Sequence, residues 1–372
     1  MGAGLEKNRS IGGVNMQLKS RHFEAADMAA AVELCHEKGW SDGLPVVPPT
    51  AELVAAMLDA CALEPDHEVA FIENRQVSVR AEKIAINAVL AGCKPEYMPV
   101  IIACVKAVAD PKFNLDAVQT STHNTSPLPI VNGPVCKAID LNCGYNHTGS
   151  RWRATSTIGR ALQLCMINIG GTPGSINIHT QGHIARFEHC IAENEDENPW
   201  QPLHVERGYT ADTSVVTLIP ACPAAMIDDN GGSQTAKDLL RTLASSIAYV
   251  GNRNTNGEGQ PLLILCPQHA RLLANGGYSK AEVKRFIWEF ARIPFGSIPR
   301  GNLTSFSKKL LKQYADFEPA FGVPIADKPD DIVIVVMGGT GTHSLSVQTR
   351  LASENVTVPI LRRDGSPWQQ QP

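Results

Sequence analysis

The feature that most constrains what this chain can fold into is the run Asp331–Met337, DIVIVVM, which passes directly into Gly338-Gly339-Thr340-Gly341-Thr342-His343-Ser344. An apolar strand opening into a glycine-rich turn is how α/β proteins bring backbone amides close to an anion at the carboxyl edge of a sheet. The turn is not a G-x-G-x-x-G fingerprint, and no Gly-Lys-Ser/Thr follows to make a phosphate loop. It therefore predicts a seat for a small anion and no nucleotide cofactor, with Gly338, Gly339 and Gly341 holding the substrate and His343 beside them.

The rest of the chain suits that reading. Helical patterns at 24–38, 51–62, 81–91, 96–109, 150–169, 234–249, 267–274, 279–291 and 304–314 alternate with strand-like runs at 68–72, 213–220 and 261–266. Thr50 is placed to cap one helix, and Ser279 with Glu282 has capping-box spacing for another. Residues 117–145 read as two strands joined by a polar turn that contains His123. This pattern predicts an α/β fold, layered helices around short mixed sheets, with two subdomains. The expected divisions are a flexible arm at 1–22, an α/β domain at 23–210 and a second at 211–372.

Bulk properties exclude several partners. With 372 residues, 43% hydrophobic and 19% charged, the chain can bury a large core, and a net charge of −4 offers no basic footprint for nucleic acid or anionic lipid. No run reaches the roughly 20 apolar residues of a bilayer span, and the first twenty residues lack an apolar signal core, so a cytoplasmic protein is expected. The ten cysteines include no C-x-x-C pair. In that compartment they should be reduced, with Cys61, Cys104 and Cys165 as core residues. Cys93 sits beside Lys94 at a helix junction, where a helix N-terminus could lower its pKa and make it a nucleophile; a structural thiol is the competing reading. Cys136, Cys143 and Cys190 also border charged or turn residues.

Ligand-type side chains are densest at 176–209, INIHTQGHIARFEHCIAENEDENPWQPLHVERGY, which holds four of the eleven histidines, one cysteine and six acidic residues. Such groups resist burial unless paired, so their concentration suggests chemistry. His179, His183, His189 and Glu193 are candidate ligands for a divalent metal such as zinc, iron or manganese. Without a metal, His204 and Glu206, expected on one face of a strand, would act with His123 as proton carriers, and Arg207 would orient a carboxylate. Arg153 at the start of the 150–169 helix is a second anion holder. The acidic run Glu195-Asp196-Glu197 reads equally as a solvated turn.

The strings SDGLPVVPPT, AGCKPEYMPV, CIAENEDENPWQPLHVERGY and MGGTGTHS, which together span most of the chain, resemble a broad bacterial family associated with UGSC-type selenoprotein sequences. The resemblance carries no activity with it. The UGSC signature is absent here, so the likeness does not extend to a selenium or thiol-redox role.

The expected function is an enzyme, a lyase, hydratase or hydrolase, using acid/base or metal-assisted chemistry on a small anionic or amide-like molecule, in a homo-oligomer. Two alternatives stand beside it: a thiol-dependent redox enzyme centred on Cys93 or Cys190, and a metal or small-ligand binding protein without turnover.

Overall fold

The computed structural model of the chain describes residues 17–149, 151–170, 179–180, 189–256, 259–302, 322–349 and 352–368. The first half carries α1 (Met28–Glu37), α2 (Ala51–Cys61), β1 (Glu68–Ile72), β2 (Val77–Arg80), α3 (Ala81–Leu90), α4 (Met98–Ala109), α5 (Leu115–Gln119), β3 (Ser126–Asn132), α6 (Val135–Ala138), α7 (Arg153–Asn168), β4 (Ile191–Ala192) and α8 (Leu203–Glu206). The second carries β5 (Val215–Asp228), α9 (Ala236–Ile247), β6 (Leu262–Leu265), α10 (Pro267–Asn275), α11 (Lys280–Phe290), β7 (Arg292–Ile293), β8 (Val323–Pro324), β9 (Val333–Val336), β10 (His343–Thr349) and β11 (Val356–Pro359). This is an α/β fold around a curled mixed sheet.

The sheet runs β4-β3-β5-β10-β6-β9, with β11 also on β5. Its spine is β5, whose first half pairs with β3 on one side and β11 on the other, from Asn132↔Val215 to Ser126↔Ala221 and from Pro359↔Val215 to Val356↔Leu218. The second half pairs with β10, out to His343↔Asp228. Pairing is parallel only between β3 and β4 and between β6 and β9. Strands from both sides of residue 210 thus share one hydrogen-bonded ladder. The sheet curls until its edges touch: the Asn194 amide, just past β4, donates to the Val336 carbonyl at the end of β9 (2.8 Å).

Side chains alternate across a strand, and here the alternation sorts them into three apolar clusters. On the concave face, Ile130, Ile191, Ile219, Ile264, Val333 and Val335 pack together. On the convex face, Val131, Val216 and Leu218 pack under α2, α3, α4 and α7, whereas Leu263, Leu265, Ile334 and Val336 pack under α9, α10 and α11. Both faces of β9 are covered, which is why DIVIVVM is apolar without a break. Burying a side chain such as Ile334 contributes roughly 1.5–3 kcal/mol, and each of these strands contributes on both faces.

Local structure departs from the sequence reading in four places. Residues 117–145 hold one strand, because Asn114 caps α5 by accepting from the Ala117 amide (3.3 Å), and Pro134 opens α6. Gly133, at φ +90°, makes the turn between β3 and α6; a Cβ there would lie 2.6 Å from the Thr213 carbonyl oxygen. His204 and Glu206 lie on the single helical turn α8 and not on a strand; Gly208, at φ +89°, closes the chain off after it. The helix expected from Ser150 begins at Arg153, and its N-cap, Trp152, makes no side-chain capping bond. Finally, Lys19 and Ser20, in the arm expected to be flexible, donate their backbone amides to Glu82 (2.9 Å each), so this end of the 1–22 segment is anchored to α3. The 304–314 helix lies outside the described residues.

Candidate functional site

The carboxyl end of β9 opens into the glycine turn, as the sequence predicts, and polar side chains of β5, β10, α10 and the 142–149 loop gather around it. Gly338, at φ +86°, donates its amide to Cys143 O (2.8 Å), so that one amide is already used. Its carbonyl accepts from the Asn194 side chain (3.3 Å). The bond to Cys143 draws the 142–149 loop over the turn. A Cβ on Gly338 would sit 3.5 Å from the His147 ring, and one on Gly339 would run into the Tyr145 ring at 2.1 Å. Tyr145 itself is 69% exposed, so it lies over the turn as an aromatic cover open to solvent.

His147 is buried, and its Nδ1 has no hydrogen-bond partner. Desolvation, reinforced by the neighbouring His189, pushes its pKa down to about 4, so it is a neutral imidazole at ordinary pH. Burial likewise lowers the His189 pKa. A buried polar nitrogen left without a partner costs roughly 1–3 kcal/mol, which a ligand or a water at that position would offset.

On the other side of the turn, the consecutive Asp228 and Asp229 at the end of β5 each face a histidine, one at the start of β10 and one on α10. His343 Nδ1 lies 3.1 Å from Asp228 Oδ1, and both side chains are substantially exposed. His269, on α10, is buried; its Nδ1 is 2.8 Å from Ser344 Oγ and its Nε2 is 3.8 Å from Asp229. Ser344 Oγ also accepts from the Cys266 amide (3.2 Å). With that lone pair engaged, the hydroxyl hydrogen is free to go to His269 Nδ1, which leaves the Nε2 hydrogen facing Asp229. Desolvation lowers the His269 pKa despite Asp229. Cys266 Sγ donates to Gly341 O (2.9 Å), tying the start of α10 to the turn.

The segment of highest ligand density folds differently. Burial raises the Glu193 pKa, and the carboxylate accepts from Asn132 Nδ2 (2.7 Å), Asn198 Nδ2 (2.8 Å) and the Leu203 amide (2.8 Å). Glu195 accepts from Asn132 Nδ2 (2.9 Å) and the Gly133 amide (2.8 Å). His204 is fully buried, 3.4 Å by Nε2 from Ala211 O and 3.7 Å by Nδ1 from Glu195. Glu206 is gripped by Lys280 (3.0 Å) and Lys284 of α11. The three carboxylates fasten the 193–206 loop to β3 and α11 and spend their bonding capacity on the chain itself, whereas His204 keeps its Nδ1 without a hydrogen-bond partner.

The other candidates disperse. Cys93 is buried, donates to Thr157 O (3.2 Å), and has a pKa pushed up by burial to about 12, the opposite of an activated thiolate. Cys190 is fully buried, with a thiol also raised by burial. Arg153 donates to Gly92 O (2.9 Å), and Arg160 forms a two-bond clamp on Asp42 (2.9 Å each) that pins the SDGLPVVPP loop to α7. Arg207 donates to Thr357 Oγ1 (2.7 Å). Since Thr357 pairs with Thr217 and His343 with Asp228, Arg207 stands at the far end of β5, a contour of roughly 36 Å from His343 at about 3.3 Å per residue. His179 and His123 share another turn: the Thr180 amide donates to Thr122 O (2.9 Å), and His123 Nδ1 is 3.2 Å from Ser121 Oγ. His183 lies outside the described residues. Among the described residues, no group of three or more His, Cys, Asp or Glu is arranged to hold a metal ion.

Sequence reasoning thus singled out Gly338, Gly339, Gly341, His343 and His189 around this turn but missed His147, Tyr145, Asn194, Asp228, Asp229, Cys266, His269 and Ser344. Only adjacency could have found Ser344, which follows His343 directly. In the sequence, Asp228 and Asp229 open the turn-like run DDNGGS, and His147 stands alone in the glycine-punctuated run CGYNHTG. Compared with family models and with curated proteins, the chain matches none.

Proposed function

We propose that the protein is an acid/base enzyme of the lyase, hydratase or hydrolase type, acting on a small anionic or amide-like molecule at the Gly338–Thr342 turn. The observation that carries this reading is the exposed His343–Asp228 pair at 3.1 Å beside that turn. A carboxylate at that distance orients an imidazole, so His343 would take and return a proton with its ring held by Asp228. His147, a buried neutral imidazole, would hydrogen-bond a substrate polar atom through its unpartnered Nδ1. The His269–Ser344–Cys266 chain would act as a brace that fixes the turn against α10, since all three side chains are buried.

A divalent metal remains part of the proposal only through the two neighbouring imidazoles of His147 and His189, which fall short of the three or four protein ligands usual for zinc. Elemental analysis of purified protein tests it: stoichiometric zinc, iron or manganese lost in His189→Ala would bring a metal into the site. The acid/base reading is tested by presenting the protein with a panel of small carboxylates and amides and following hydration, elimination and hydrolysis. With any substrate that turns over, His343→Asn should lower kcat by about 10²–10⁴-fold, the usual contribution of a positioned proton carrier. Full turnover in that variant would overturn the assignment.

A further inference from the structure

A second cleft lies away from the glycine turn, where the C-terminal hairpin folds over α2, α4 and β1. The hairpin is closed by the Arg362 amide donating to Ser366 O (2.7 Å) and by the Leu361–Pro367 bridge. Between it and the helices is a cavity of about 160 Å³ whose walls include Val69, Ile102, Leu361, Lys106, Arg362 and Arg363. Its floor is aliphatic and its ionic groups are mainly cations. That combination selects for a ligand with one apolar end and one anionic end.

The charges on the rim can be followed individually. Arg363 is already paired with Asp59 (3.0 Å). Arg362 stands 5.8 Å from the Trp368 ring, and its charge also helps lower the Asp364 pKa, after that side chain's bonds to Ser366. Lys106, in the last turn of α4, is half-buried and has no carboxylate partner among the described residues. A cation held beside an aliphatic wall without its own counter-ion is a site for an external one, and the lowered dielectric near the wall strengthens the attraction. The volume sets the size of the apolar part: an apolar cavity of about 150 Å³ accommodates a benzene ring.

We infer that this cleft binds a small apolar monocarboxylate, one ring or a chain of about six carbons, with its carboxylate between Lys106 and Arg362 and its hydrocarbon against Val69, Ile102 and Leu361. Two sources of the same chemistry fit, an aromatic acid and a short fatty acid, and the experiment separates them. Benzoate, hexanoate and, as an uncharged control, benzyl alcohol are titrated into the full chain by calorimetry at low ionic strength. One of the two acids should bind saturably at one equivalent, at least tenfold more tightly than benzyl alcohol. Lys106→Glu should weaken it by at least tenfold and Arg362→Glu by a similar factor, while Tm without ligand stays close to wild type, since both side chains lie at the rim. His343→Asn should bind the acid as wild type does, which separates this cleft from the turn. Equal binding of benzyl alcohol and benzoate, unchanged affinity in Lys106→Glu, loss of binding in His343→Asn, or no saturable binding of either acid would each overturn the inference.

Discussion

Two regions of this molecule hold clustered histidines and carboxylates, and they use the carboxylates in opposite ways. Around 193–206, Glu193, Glu195 and Glu206 accept from amides, asparagines and lysines of the same chain until little capacity is left. Around 338–344, His147 keeps an unpartnered nitrogen, and His343 with Asp228 faces outward. A cluster of titratable groups therefore indicates function only by the capacity it leaves unspent. Density alone does not distinguish a fastening from a site.

The sharpest way to break the contrast is to remove one group from each region. His343→Asn should cost the 10²–10⁴-fold in turnover given above and less than about 0.5 kcal/mol in stability, as surface substitutions usually do. Glu193→Ala should do the reverse: it leaves Asn132, Asn198 and the Leu203 amide without their acceptor and should lower unfolding free energy by about 3 kcal/mol in urea titrations. Glu193→Gln keeps one acceptor oxygen and should cost less. If His343→Asn unfolds the chain while Glu193→Ala leaves stability untouched, the two roles are reversed.

Acid provides a gentler probe. Desolvation raises the Glu206 carboxyl, but Lys280 and Lys284 outweigh it and hold it below the 4.5 of a free glutamate. A group with a depressed folded pKa contributes stability that is present above its unfolded pKa and is lost as pH falls through the folded one. Wild type should therefore weaken as pH drops below 4.5, whereas Glu206→Gln should be weaker than wild type at pH 7 and flatter through that window. Parallel curves for the two proteins would remove the lysine clamp from the account.

Gly338→Ala should cost about 1 kcal/mol in urea titrations, because its φ of +86° is unfavourable for a residue with a Cβ, while the His147 ring, 3.5 Å from that Cβ, is at ordinary contact distance and stays in place. The smallest effect is expected at Cys93 and Cys190: neither should react with a thiol reagent at pH 7 until the chain unfolds, since burial raises both thiols. Rapid labelling of either in the native state would return the redox alternative.

What the sequence determined by itself was the layering. The uninterrupted apolar run of β9, the capping box at Ser279 and Glu282 and the Thr50 cap all act within a few residues, and they appear where the letters place them. The glycine turn was legible for the same reason: a strand that ends in glycines must turn there. What only the tertiary structure decided was which polar side chains meet. Glu193 finds Asn132, sixty-one residues away, and Glu206 finds Lys284, seventy-eight residues away, through a sheet whose edges are closed by the Asn194–Val336 bond. Asp228 comes opposite His343 only because β5 and β10 pair in one particular register. Backbone preferences are local and can be read in order along the chain. Ion pairs and hydrogen bonds between distant residues depend on register and curl, and those are settled by the packing of three apolar clusters at once.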